Sequence, residues 1–526
     1  MSVFRSLAAG LLAASSLVHA QDSVSFNIDT YGQGDASGTP FQTYQSNSDV
    51  KPPQLQINKN SSGLAAGYVF IGVDGAPTSS QNWPTIYDMS DERMEISHFQ
   101  AAKFGDNMGD LHEFTITSDD TALIIIYHAI PADLSVVDGP EDGWIFECTF
   151  QELNIETGDV VFEWNASTHV GVNETYNELG GTGSNETTPF DYFHMNSVQK
   201  DKNGDYLVSG RVMDTVYKIS GNDGSIIWKL NGKDSDFDVD SNGVFAFQHD
   251  ARWVNSDMKR ITLFDNGPTD TIGYSRGLLF AIDEDAKTAT LITEFTNEAQ
   301  TFGQFEGCLQ AIDPADDATN YFLGYGSQQF FAELDKDGNV LLDVQFGATN
   351  AVNSYRAYKL PWTGRPRTKP DVHYDQDGNK IYFSWNGATD VETWGVYTAN
   401  DTQSSTWTRV ANATRTGFET TIDLQGVGLQ TYVRGKAVNG TGANLGWTRA
   451  SDGTSLFDAN DNVNDSNSTS TSSSSSSIAT SSSTGVTAAT SASSTGLAAA
   501  RPTAGLGLRE QVYVAAVVVV GGLAMA

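Results

Sequence analysis

Cysteine is almost missing from this chain: Cys148 and Cys308 are the only two in 526 residues. So few exclude a disulfide-built scaffold and a cysteine-rich zinc module. They leave room for one possible disulfide, Cys148 with Cys308, which depends on their separation in space. Positive charge is scarce too. Thirty Lys and Arg face 65 Asp and Glu, for a net charge of -35. That excludes the basic footprint of a nucleic-acid binder and suits a soluble extracellular protein. Nucleotide chemistry lacks its signatures, since neither a P-loop nor a Rossmann fingerprint occurs. There is no G-x-S-x-G elbow, and no acidic pair is singled out for glycosidase work. Long amphipathic helix patterns are also missing between about Gln21 and Trp362.

The two ends of the chain predict its compartment. "MSVFRSLAAGLLAASSLVHA" has Arg5, a short apolar run and a small-residue end, the pattern of a secretory signal peptide cut after Ala20 rather than of a membrane anchor. Acceptor sequons for N-glycosylation stand at Asn60, Asn165, Asn173, Asn185, Asn400, Asn412 and Asn439. From about Asn464 the composition turns to Ser, Thr and Ala, which cannot bury a core and reads as an O-glycosylated stalk. "VYVAAVVVVGGLAMA" ends the chain after a polar spacer. It is shorter than the roughly 20 residues of a membrane span, and predicts a GPI-anchor signal with attachment near Ala498 to Ala500.

The length calls for two or more domains. Between the ends, short apolar, β-branched or aromatic runs alternate with Gly, Asp and Asn turns, which predicts an all-β fold. "FQELNIETGDVVFEW", "VYKISGNDGSIIWKL" and "FAELDKDGNVLLDVQF" are loose copies of one hairpin, and "DKNGDYLVSGR" places another turn before a strand. Hairpins repeated at this spacing suggest a β-propeller, with an array of β-sandwiches as the competing reading. After the proline-stiffened "LPWTGRPRTKP", the stretch from Lys369 to Ala450 predicts a small fibronectin type III-like sandwich, with Trp385 and Tyr432 in its core. The expected boundaries are a signal peptide at 1–20, the propeller at 21–365 and the sandwich at 366–455. The stalk follows at 456–500 and the anchor tail at 501–526.

The eight histidines divide by context. His19 lies in the signal peptide and His373 by the linker, while His98, His128 and His169 lack an acidic or amide neighbour and read as structural. His112 sits in "GDLHEF", His194 in "DYFHMNS" and His249 in "FAFQHDARW". Read as a strand, "PFDYFHMNSVQK" sends Tyr192, His194 and Asn196 to one face. Such polar groups either tie strands together or line a channel. Three histidines suffice for zinc, but no two of these are spaced as ligands. "DSDFDVDSNG" lacks the glycine and terminal glutamate of an EF-hand loop and reads as solvated acid rather than a calcium site.

In order along the chain, "LHEF", "GDVVFEW", "DYFHMNSV", "YLVSGR", "GSIIWKLNGK", "FQHDAR", "FDNG" and "YSRG" resemble the arylsulfotransferase family, most of all its secreted fungal branch, over roughly residues 50 to 365. The resemblance implies a six-bladed propeller with its site at the central channel. It implies sulfuryl transfer from a phenolic sulfate ester to a phenol through a sulfated histidine, with no cofactor and no nucleotide donor. His194 and Asn196 match the family's His-x-Asn pair, Arg211 its arginine one strand later, and His112 an upstream histidine. His249 matches the nucleophile. In those roles Arg211, Asn196 and a protonated His194 would hold the sulfuryl oxygens. His112 would serve as general acid, and Tyr192 and Phe247 would flank a phenol ring. Rival functions are a non-catalytic propeller module binding wall glycans and a sulfate ester hydrolase.

Overall fold

The computed structural model describes residues 42–74, 84–87, 92–93, 109–267, 272–348 and 351–465. The expected signal peptide, His98 and nearly all of the stalk and anchor tail lie outside these residues. The fold is all-β: the described residues hold strands and short 3-10 turns and no α-helix.

Five sheets, antiparallel except where Asp238–Val239 runs parallel to Thr288–Phe295, fill the span from Gln56 to Leu360. Four begin with a strand at the sheet edge and step outward through hairpins. They start at Phe114–Ile116, Met195–Lys200, His249–Trp253 and Cys308–Ala311. The fifth is built from both ends of the span, because Asn353–Leu360 pairs with Tyr68–Asp74 in the register Tyr68 to Leu360. The repeated hairpin motifs form outer strand pairs of three sheets, and their turns place Gly158, Gly224 and Gly338 at φ 72, 75 and 83°. Only glycine adopts those angles without steric penalty, which is why the turn signature was readable.

The five edge strands are tied to one another in a circle. Arg356 bonds Glu113 and the His112 and Asn196 carbonyls. Val198 N–H donates to Glu113, and Ala251 N–H to Ser197 Oγ. Asn266 Nδ2 reaches the carbonyls of Gly303 and Glu306, and Gly307 N–H donates to the Tyr355 carbonyl. Five sheets thus occupy the ring among the described residues, against the six blades expected. The last edge strand, carrying Arg356, already meets the first and second ones, at Glu113 and at the Asn196 carbonyl.

At the centre lies a closed charge cluster. Arg252 binds Glu113 at 2.5 Å and Asp250 at 2.8 Å, and Arg356 binds the same two carboxylates at 3.0 and 3.2 Å. Burial alone would raise the Glu113 carboxyl, but the two guanidinium groups outweigh it and hold it at about 2. Two cations matched to two anions satisfy a buried network that would be costly with any member missing.

The cysteines do not pair. Cys148 lies in the strand Gly143–Asn154 and Cys308 in Cys308–Ala311, in different sheets and different apolar clusters, and both are buried free thiols. Cys308 Sγ instead sits 3.0 Å from the Ala357 carbonyl, a contact between neighbouring edge strands.

Beyond the linker, three strands from Asp371 to Asp423 form one sheet, and a larger sheet runs from Thr393 into Asn464–Asp465, past the expected start of the stalk at 456. Trp385, Phe383 and Trp394 form its core, while Tyr432 is half-buried against Phe457. Residues from before the ring also reach this unit: Ser46 bonds Ser384 and Glu419, and Asn47 bonds Asp371. Of the sequon asparagines, Asn60, Asn173, Asn185, Asn400 and Asn412 are exposed, and Asn165 and Asn439 half-buried.

Candidate active site

Above the charge cluster the structure gathers His112, His194, His249 and Arg211. The rings of His112 and His194 meet edge to face, with centroids 5.0 Å apart. Tyr355 lies 5.5 Å from His112 and 6.2 Å from His249, perpendicular to both. Tyr127 stacks on His112 at 5.4 Å.

His112 follows from the start of the strand Phe114–Ile116 and from Asp110, whose carboxylate takes its Nδ1 in a short hydrogen bond. Burial would raise the Asp110 carboxyl, and His112 outweighs it to lower it. His194 is held the same way, with Nδ1 2.5 Å from Asp191 Oδ2. In both pairs the carboxylate holds Nδ1.

His194 does not continue the strand assumed from the sequence. Its φ is 52°, a left-handed residue, and the strand begins only at Met195. Alternation therefore fails here. Tyr192 turns into the apolar core with no exposed surface and cannot flank a substrate. Burial is the largest influence on His194 and lowers it, against the pull of Asp191. The ring is thus neutral near pH 7, not the protonated donor expected.

Asn196 is also fully buried. Its Nδ2 donates to the Gln248 carbonyl at 2.7 Å, which ties the second edge strand to the third. Arg211 opens a 3-10 turn after Tyr206–Gly210. Its N–H donates to the His194 carbonyl, and its guanidinium lies 5.1 Å over the Phe247 ring and reaches the Gln304 carbonyl. Burial lowers it and Asp191 opposes that, so it remains the cation of the site.

His249 starts the third edge strand and is 1% exposed. It stands between two left-handed residues, Phe247 at φ 54° and Asp250 at 53°, and Glu306 opposite has φ 63°. Non-glycine residues pay roughly 1–3 kcal/mol for such angles, and their concentration here marks a site held in shape by its surroundings. Nδ1 of His249 lies 2.7 Å from Asn266 Oδ1 and 3.1 Å from the Phe247 carbonyl, while Nε2 accepts the Glu306 N–H at 3.2 Å. Burial first, then Arg211, push the ring well below an ordinary histidine, so it is neutral and carries a lone pair on Nε2.

A neutral imidazole with a lone pair, beside one guanidinium and two carboxylate-held histidines, can take up an electrophilic group and exchange protons with its leaving group. Among the described residues no group of His, Cys, Asp and Glu could hold a metal ion. His169 stacks on Trp164, and His373 packs against Tyr382. Sequence reasoning missed Asp191, Asn266, Tyr127, Tyr355 and Arg356. An Asp three residues before His194 was the available sign for the first, and "SYRAY" gave none for the last.

No curated protein matches the chain. Solved structures match at low likeness. A protein of unknown function from Bacteroides caccae is 13% identical with a TM-score of 0.27, over 59% of this chain and 90% of that one. A catalytically inactive virginiamycin B lyase from Staphylococcus aureus with quinupristin is 10% identical with a TM-score of 0.26, over 73% and 96%. The periplasmic gluconolactonase of Pseudomonas aeruginosa is 11% identical with a TM-score of 0.24, over 75% and 98%. At these TM-scores none carries an argument. The family model described as arylsulfotransferase (ASST) matches residues 78–347, just over half of the chain and the span that holds every residue of the site except Tyr355 and Arg356. The chain belongs to the arylsulfotransferase family.

Proposed function

We propose that this protein transfers a sulfuryl group from a phenolic sulfate ester to a phenol, through a sulfated His249 and without a nucleotide donor. One observation carries the reading: His249 is a buried neutral imidazole with its lone pair on Nε2, beside Arg211. Nε2 attacks sulfur, the bond from sulfur to the aryl oxygen breaks, and His112, oriented by Asp110, gives the departing phenolate a proton. The acceptor phenol reverses the sequence. Arg211 meets the charge spread over the sulfuryl oxygens. Asn196 acts through the strands it joins, and Tyr127 and Tyr355 take the ring-flanking place expected for Tyr192.

The ring of five sheets is read as a propeller and the C-terminal unit as a fibronectin type III-like sandwich. The chain is proposed to be a secreted member of the fungal branch: cleaved after Ala20, glycosylated at its exposed sequons, and carried on a Ser/Thr-rich stalk with a GPI anchor.

The test mixes the purified protein with a chromogenic aryl sulfate, with and without a phenol. Release that depends on the phenol supports transfer. Release without it identifies a hydrolase. No release with any aryl sulfate, from a folded protein, favours a binding module.

A further inference from the structure

We propose that Asn266 is the positioning residue that sets the tautomer of His249 and keeps the sulfated ring protonated on Nδ1. The inference rests on the reading of His249 as the nucleophile. Its own support is geometric. An amide facing an imidazole can present either oxygen or nitrogen. Here Asn266 Nδ2 donates to two backbone carbonyls, Gly303 at 2.7 Å and Glu306 at 3.0 Å. Oδ1 is therefore the atom left for His249, at 2.7 Å from Nδ1. The segment that receives Nδ2 is fixed in turn, since Ser275 Oγ donates to the Asn266 and Gly303 carbonyls and accepts the Gly303 N–H. Two further contacts require the same tautomer. The Phe247 carbonyl accepts at Nδ1, and the Glu306 N–H donates to Nε2.

The choice of an amide over a carboxylate has a chemical consequence. When Nε2 attacks, it gives up the hydrogen bond it accepts from the Glu306 N–H, the new bond runs from Nε2 to sulfur, and the phenolate leaves with a proton from His112. The ring then carries the sulfuryl group on Nε2 and still holds its proton on Nδ1, as a cation. In the second transfer the acceptor oxygen binds sulfur, the bond from Nε2 breaks, and the electron pair returns to Nε2 to regenerate a neutral imidazole. Had Nδ1 lost its proton, the leaving group would be an imidazolide anion, and transfer would stall. Asn266 accepts the hydrogen bond but cannot accept the proton. His112 and His194 have a carboxylate, Asp110 and Asp191, at that place. The groups facing His249 are Arg211, His194 and His112, with Tyr355 and Glu306 beside them.

The test compares wild type and Asn266→Asp by intact mass. Each is charged with an aryl sulfate and then discharged with a phenol. In the variant, discharge is expected to slow by roughly tenfold or more relative to charging, and the acid limb of charging to move to higher pH. An unchanged ratio of the two rates with an unmoved limb would overturn the proposal, since a loss of folded enzyme scales both rates together. Imidazole 15N NMR of the wild type is the second measurement and does not depend on Asn266→Asp. With the signal assigned by its loss in His249→Gln, the proton is expected on Nδ1; a proton on Nε2 would overturn the proposal. If the wild type shows the Nδ1 proton yet never acquires a sulfuryl group, the reading of function fails, and the role in transfer fails with it.

Discussion

A nucleophilic histidine needs its lone pair at the pH where it works. Burial and Arg211 lower His249 well below the ordinary value of about 6.5. Enzyme charging measured by mass should therefore stay flat as the pH falls through 6.5, and decline only at lower pH. A decline centred at 6.5 would show an ordinary, exposed imidazole. Arg211 is the cation that bears most on His249, so under the proposed transfer Arg211→Ala should lower turnover by roughly 10²–10³, mostly in kcat, the scale of losing one charge-stabilising donor. An effect confined to KM would place Arg211 in binding alone. His112, His194, His249 and Arg211 were legible as residues from short motifs. Their geometry was not. The left-handed φ at His194 breaks the alternation that placed Tyr192 beside it, and no local pattern announces such an angle.

Among the elements, three edge strands matter most, because Phe114–Ile116, His249–Trp253 and Asn353–Leu360, with the residues that lead into them, lend residues both to the site and to the charge cluster. Glu113 belongs to the cluster and His112 beside it to the site. Glu113→Gln leaves Arg252 and Arg356 short of an anion and should cost about 3–5 kcal/mol in stability. The pH dependence follows in sign. The carboxyl sits at about 2 in the folded protein and near 4.3 when unfolded, so its contribution is fully present above about 4.3 and is lost as the pH falls toward 2. Equilibrium unfolding followed by circular dichroism should show that acid loss in the wild type and a smaller one in the variant. Hairpins were legible because their turn glycines sit within one short motif. The number of sheets among the described residues was not, because Tyr68–Asp74 and Asn353–Leu360 complete one sheet from opposite ends of the span, and no periodicity joins them.

At the scale of the whole molecule, the ring and the C-terminal unit are linked through the linker after Leu360 and through Ser46 and Asn47, which reach Ser384, Glu419 and Asp371. The N-terminal segment thus belongs in contact with the C-terminal unit, which a reading by linear domains does not anticipate. If the ends of the chain are processed as proposed, phosphatidylinositol-specific phospholipase C should release the protein from intact cells into the medium. Retention on the membrane after that treatment, with release only by detergent, would indicate a spanning tail.

The central claim is a covalent sulfohistidine at one named position. The protein is incubated with an aryl sulfate in the absence of any phenol, quenched under alkaline conditions, digested and mapped by mass spectrometry. One added sulfuryl group is expected on the peptide containing His249, removed when a phenol is supplied before the quench. A sulfuryl group on His112 or His194 instead, or acceptor-dependent turnover with no modified peptide, would contradict it.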